Sequence, residues 1–165
     1  MEDRRKIVMD TLEKMAIPYE IIEHEAVFTV EQIEEIQLWN HPDGIGAKNL
    51  FLRDGSGKRH FLIVLREDKQ ADLKELRKEI QSSRLSFASA ERLDRYMKLT
   101  QGSVSPFGVL NDTECAVEVF FDEDLRDYQY IAVHPNDNTA TVWLKLSDLV
   151  KMIETHGNSF QFVKI

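Results

Sequence analysis

Three short stretches carry residue types that could do chemistry. The first is Asp43-Gly-Ile-Gly-Ala-Lys-Asn-Leu-Phe-Leu-Arg-Asp54, a glycine-rich turn running into an apolar strand with Lys48 at its mouth. Period-two alternation puts Lys48, Leu50 and Leu52 on one face and Asn49, Phe51 and Arg53 on the other. An ammonium on an apolar face either snorkels off the strand end on its hydrocarbon stem or points into a cleft, and alternation leaves both open. The second stretch is Thr100-Gln-Gly-Ser-Val-Ser-Pro-Phe-Gly108, too rich in loop formers for helix or strand. Its glycines permit close backbone approach, its N–H groups and serines supply donors, and Pro106 stiffens it, so it is either a site wall or a plain connector. The third is His134, which alternation places at a strand end beside the turn Pro135-Asn-Asp-Asn138.

Other chemistry lacks its residues. The histidines at 24, 41, 60, 134 and 156 show neither HExxH nor a paired spacing with carboxylates or cysteine, so no metal site and no cofactor is expected. GxGxxG, GxxxxGK[ST] and GxSxG are all absent, which removes the dinucleotide, P-loop and hydrolase-elbow readings. Cys115 is the sole cysteine, so an internal disulfide is impossible; its neighbours Glu114 and Ala116 do nothing to favour a thiolate, and it reads as a small strand residue.

The elements that must position these groups fit one domain spanning residues 1–165, with 42% hydrophobic residues to fill a core and no linker or repeat. A net charge of −8 argues against broad non-specific nucleic-acid binding while allowing local basic clusters, such as Arg4, Arg5 and Lys6 or Lys58 and Arg59. No signal-peptide core and no apolar run of about 18 residues is present, so a cytoplasmic location is expected.

Residues 4–16 read as a helix with Val8, Leu12, Met15 and Ala16 on one stripe, stopped by Pro18. A short strand follows over 19–22. Thr29 and Gln32 form a capping box for a short helix ending near Trp39, and a turn-rich loop through His41-Pro-Asp-Gly44 and Gly46 leads to Lys48. Gly55-Ser-Gly57 joins 49–54 to 59–66 as an antiparallel hairpin, whose apolar 61–65 run belongs in mid-sheet. Asp72 and Ser89 cap helices bearing Leu76 and Leu93, with a short strand at 84–87 between them. Strand 117–121 precedes an acidic turn over 122–127, and 130–134 pairs with 139–144 as a second hairpin. Ser147 caps a last helix ending at His156-Gly157, and 160–163 forms an edge strand. The sum is an α/β (α+β) fold, a curved mixed sheet of about seven mostly antiparallel strands among about five helices.

These residues resemble those of the freestanding prolyl-tRNA editing proteins, the ProX or PrdX branch of the YbaK and aminoacyl-tRNA-synthetase-associated domain superfamily. The resemblance covers almost the whole chain. It is carried by Val27-Phe-Thr-Val30 after a Glu-His pair, Lys48 to Asp54, Arg84 to Ser89, Gly102 to Gly108, Asn111-Asp112 and His134 to Thr141. It implies a single YbaK-like domain that hydrolyses the ester of mischarged tRNA(Pro), most often Ala-tRNA(Pro), without metal or cofactor. Lys48 then matches the family's essential lysine, Asn49 its neighbour, Gly102 to Pro106 its GxxxP loop, and His134 the histidine facing the site. On this reading Lys48, Gly102 and His134 are catalytic, while Asn49, Ser103, Ser105 and Pro106 bind substrate.

An aminoacyl ester is already reactive, so positioning it, polarising its carbonyl and admitting water or the neighbouring ribose hydroxyl supplies much of the catalysis. Lys48 would anchor the terminal phosphate or polar end of the substrate, and backbone donors near Gly102 would meet the oxyanion. A tight pocket rejects the larger proline, but Ala-tRNA(Ala) must also survive, which calls for contact with the acceptor end of tRNA(Pro). Arg4, Arg5, Lys6, Lys58 and Arg59 are the expected tRNA contacts, with prolyl-tRNA synthetase a further possible partner and neither DNA nor membrane expected. The competing readings are a non-catalytic tRNA- or synthetase-binding module of this fold, and a deacylase for another small residue such as Cys-tRNA(Pro).

Overall fold

The computed structural model describes residues 4–25 and 43–165. The capping box at Thr29, the helix ending near Trp39 and the turn at His41 and Pro42 lie outside the described residues. The strand β3 (His60–Arg66) is the spine, with Phe61 to Leu65 wholly inaccessible. An apolar run of this kind must be covered on both faces, and it is. One face packs under α1 (Lys6–Lys14), α3 (Ala90–Met97) and α4 (Leu146–His156), through Val8, Leu12, Leu93, Met97, Leu149 and Ile153. The other packs under α2 (Leu73–Glu79), through Leu76 and the following Ile80, with Leu85.

The remaining strands are β1 (Tyr19–Glu23), β2 (Gly44–Arg53), β4 (Ser86–Phe87), β5 (Val117–Asp122), β6 (Tyr130–Val133), β7 (Ala140–Lys145) and β8 (Phe160–Val163). They form one sheet in the order β1-β7-β6-β2-β3-β5-β8, with β4 on β2. Both expected hairpins form, β2 with β3 and β6 with β7. The β2–β6, β3–β5 and β5–β8 pairs are parallel, so the sheet is mixed.

Local chemistry explains most boundaries. Asp72 accepts from the N–H groups of Lys74 and Glu75, and Ser89 from that of Arg92, each meeting an unpaired donor at a helix start. Helix α4 differs from expectation, because Ser147 lies inside it and the preceding Lys145 makes no side-chain cap. The chain passes straight from β7 into the helix, and the Leu146 N–H is met by the Gln129 carbonyl at 3.0 Å, so a tertiary bond takes the place of the cap. Gly44 and Gly46 are also not turn residues but strand residues, paired with Tyr130 and Ala132 of β6. Lys48 therefore lies mid-strand rather than at a strand mouth. The stretch after Thr100 contains two short 3-10 turns, Gln101–Ser103 and Pro106–Asn111; the second starts on Pro106 with Ser105 as its cap and buries Phe107 and Val109.

Candidate active site

Strand β2 has β3 along one side from Ala47 to Arg53. Its other side meets β6 over Gly44–Gly46 and β4 over Leu52–Arg53, and between those segments no described strand covers it. The Glu67 N–H donates to the Gly46 carbonyl at 3.0 Å, which fixes the parity of the ladder. Even-numbered residues bond towards β3, and odd-numbered ones turn N–H and C=O to the open side. Phe51 follows this rule, its carbonyl accepting from the Ala88 N–H at 3.0 Å. The main chain of Asn49 thus faces a notch in the sheet.

A small cleft occupies that notch, lined by Ala47 and Asn49 of β2, Ala132 and Val133 of β6, His134 just beyond it, and Thr141 of β7. The Asn49 Oδ1 is buried there without a hydrogen-bond partner, which for a buried acceptor costs on the order of 1–3 kcal/mol. His134 makes a bond of 3.0 Å between Nδ1 and the Ala140 carbonyl. A carbonyl only accepts, so Nδ1 carries the proton and Nε2 of the neutral ring is left as an acceptor. Burial holds the His134 pKa below the ordinary 6.5, with the His24 ring acting in the same sense, while the Ala140 bond and Asp137 oppose them.

His24 stands across from it, ring centroids 6.4 Å apart. Its Nδ1 donates to the Glu25 carbonyl at 2.7 Å, and its Nε2 lies 2.9 Å from the hydroxyl of Thr141, a residue 1% exposed. His24 and Thr141 complete the wall but were not singled out as site residues from the sequence. Periodicity could not find them, because they meet only through the β1–β7 pairing, which sets Ile22 opposite Thr141.

Ser105 joins the loop wall to the histidine wall. Fully buried, its hydroxyl donates to the His134 carbonyl and accepts from the Phe107 N–H at 3.2 Å. The hydroxyl is thereby committed to the frame. Ser103 is buried with its N–H on the Thr100 carbonyl at 2.9 Å, Gly102 is half-buried within the same turn, and Pro106 is buried. Lys48 is half-buried and, among the described residues, has no ion-pair or hydrogen-bond partner for its ammonium. It pairs across the ladder with Leu65, so its Cβ leaves β2 on the face of Leu50 and Leu52, opposite to that of Asn49. The structure therefore gathers Asn49, His134 and the Ser105 anchor. Lys48 adjoins them through the backbone.

Of the basic residues, Arg5 bridges Glu23 at 2.8 Å and lies 3.8 Å from Asp137, and Lys6 pairs with Asp10 at 3.0 Å. Arg59 grips Glu118 with two bonds of 2.9 Å, and Lys58 is exposed on the β2–β3 turn, roughly 17 Å of strand beyond Asn49. Arg4 reaches towards the Thr100 hydroxyl at 3.4 Å. Cys115 is not in a strand. It occupies a left-handed turn position (φ 53°) before β5, with Sγ 3.7 Å from the His156 Nδ1. That nitrogen is engaged by the Asn158 Oδ1 at 2.6 Å and so carries a proton, which leaves it no capacity to deprotonate the thiol.

Residues 24–152 match the model of the aminoacyl-tRNA editing domain. This chain belongs to that family. It is 48% identical over 163 residues to a prolyl-tRNA editing protein, ProX, of Acetoanaerobium sticklandii, spanning 99% of this chain and 98% of that one. It is 33% identical to a prolyl-tRNA synthetase associated domain-containing protein of Danio rerio, over 92% of this chain and 82% of the relative. The crystal structure of a candidate trans-editing enzyme for prolyl tRNA synthetase superposes with a TM-score of 0.74 at 19% identity, covering 100% and 99% of the two chains, which establishes the shared fold.

Proposed function

We propose that this protein is an aminoacyl-tRNA hydrolase that edits in trans the errors of prolyl-tRNA synthetase, with Ala-tRNA(Pro) as its substrate. The observation that carries the reading is a cleft lined by both Asn49, whose buried amide oxygen is unpaired, and His134, whose Nδ1 bond leaves Nε2 as an acceptor, in a chain related end to end to an editing protein. A buried acceptor with no partner is what a site made to bind a hydrogen-bonding group looks like before it is filled. The free α-ammonium of an aminoacyl ester is such a group.

In the hydrolysis, the attacking water forms a bond to the ester carbon, the bond to the ribose oxygen breaks, and a proton passes from the water to the leaving ribose oxygen. His134 Nε2 is suited to accept a hydrogen bond from the attacking water, or from the ribose hydroxyl that orients that water. Asn49 orients the amino acid, Gly102 offers its main chain towards the oxyanion, and the Ser105 bond holds loop and histidine in register. Lys48 supplies positive charge on the far side of β2 for the terminal phosphate. A tight pocket for the amino acid would favour alanine over proline, for which a steric clash is the discriminating term.

Deacylation of Ala-, Ser-, Cys- and Pro-tRNA(Pro) tests the reading. Preferential release of alanine is expected; hydrolysis of none would leave the binding-module reading, and preference for cysteine or serine would change the substrate. The serine arm has a specific motive, because the chain is also 35% identical over 91 residues to an Escherichia coli Ser/Thr-tRNA deacylase, ProXp-y.

A further inference from the structure

Outside the cleft, the surface between α1 and the C-terminal end of α3 forms a second concavity. Four cations line it, Arg4, Lys6 and Lys14 from the first helical segment and Lys98 from the left-handed cap of α3, against one acid, Asp10. On a chain of net charge −8 this is a local inversion of sign. Lys14 and Lys98 are exposed, and their ammonium groups have no ion-pair partner among the described residues. Asn111, on the floor, donates to the Met97 carbonyl at 2.9 Å, so the concavity has a fixed base.

Arg4 connects the concavity with two segments that flank the candidate active site. Arg4 reaches the hydroxyl of Thr100, which begins the Gly102 turn, and its charge also acts on Asp137, three residues past His134. A polyanion esterified to the group held between Asn49 and His134 would leave the cleft past these residues. We infer that this concavity is the surface on which the RNA backbone of the tRNA acceptor arm lies, with Arg4, Lys14 and Lys98 against its phosphates. The inference rests on the editing reading, and it narrows the basic clusters of the sequence to those not already held by carboxylates: Arg5 and Arg59 sit in ion pairs, and Lys58 is at the far end of β2. Lys14 and Lys98 lie far apart in sequence and form no basic run, so only the fold brings them together.

The test is binding of uncharged tRNA(Pro) by fluorescence anisotropy across a salt series, for the wild type, for a Lys14→Gln/Lys98→Gln double variant and for a Lys74→Gln/Lys78→Gln control. The control removes the same charge from α2, on the opposite face of the sheet. Each phosphate contact contributes about 0.9 to the slope of log affinity against log salt for a duplex, so losing two should flatten the slope by about 1.8. Between 50 and 200 mM salt that is roughly a tenfold smaller fall in affinity. The control should stay within about twofold of wild type. Unchanged affinity and slope in the cleft variant, or an equal loss in the control, would overturn the inference. Deacylation measured on the same samples separates the two claims: a wild type that binds through this surface but hydrolyses no mischarged tRNA refutes the editing reading and leaves the surface standing.

Discussion

Removing the Ser105 hydroxyl is the perturbation that probes how the site is held. Ser105→Ala deletes a donor to the His134 carbonyl and an acceptor for the Phe107 N–H at a wholly buried position. The orphaned carbonyl costs about 1–3 kcal/mol and the lost cap about 1 kcal/mol. Because both act through one oxygen, a total of about 2–3 kcal/mol is expected. For a domain of this length each kcal/mol lowers Tm by about 2–4 °C, so a fall of roughly 5–10 °C should appear in calorimetry. The kinetic effect is separate. His134 is held by its ring bond to Ala140 and by this carbonyl bond; with one removed, the ring drifts relative to Asn49, and a misplacement of about 1 Å can cost 10²-fold. A fall of about tenfold or more in kcat/KM for Ala-tRNA(Pro) is expected at a temperature where the variant is fully folded. A variant with Tm within a degree of wild type and unchanged kcat/KM would refute the claim that Ser105 couples the two walls.

Asn49→Ala should lower deacylation by about 10²-fold while leaving stability unchanged or higher, because it removes a buried unpaired oxygen; urea unfolding beside the kinetic assay checks both halves. Lys48→Ala should abolish most activity on Ala-tRNA(Pro) if the ammonium serves the substrate, and a full rate would exclude that role. The pH profile of kcat/KM should be flat through neutrality and fall only below 6.5, because His134 is held in its neutral form. Stability follows the same sign: His60 and His134 both have lowered pKa values, so the unfolded chain takes up protons first, and stability present above 6.5 is lost as pH falls towards the lower folded values. Gly108→Ala should cost about 1–3 kcal/mol, since a Cβ there would stand 2.6 Å from the Leu99 Cδ1, with Met97 behind it.

What the sequence shows of this fold is what short-range physics controls. Gly55-Ser-Gly57 and Pro135-Asn-Asp-Asn138 announce their hairpins because turn chemistry and register are local. Asp72 and Ser89 announce helix starts for the same reason. The parallel pairings have no local signature, so Gly44-Ile-Gly46 reads as a turn when it is the segment that docks on β6. Ser147 reads as a cap because the bond from Leu146 to Gln129 is invisible until the strands are assembled. Alternation correctly separates Lys48 from Asn49, but which face holds the cleft is decided by β6 and β7, far along the chain.

The split edge of β2 also bears on the order in which the molecule becomes competent. The half of the site on Ala47 and Asn49 belongs to a hairpin that closes locally with β3, whereas His134 and Thr141 arrive only when the β6–β7 unit docks in parallel on Gly44–Gly46. Closing that long loop is paid for late, after local contacts have formed. A nascent or refolding chain would show most of its helix and hairpin signal while unable to hydrolyse anything, and the onset of activity would time the docking of one strand.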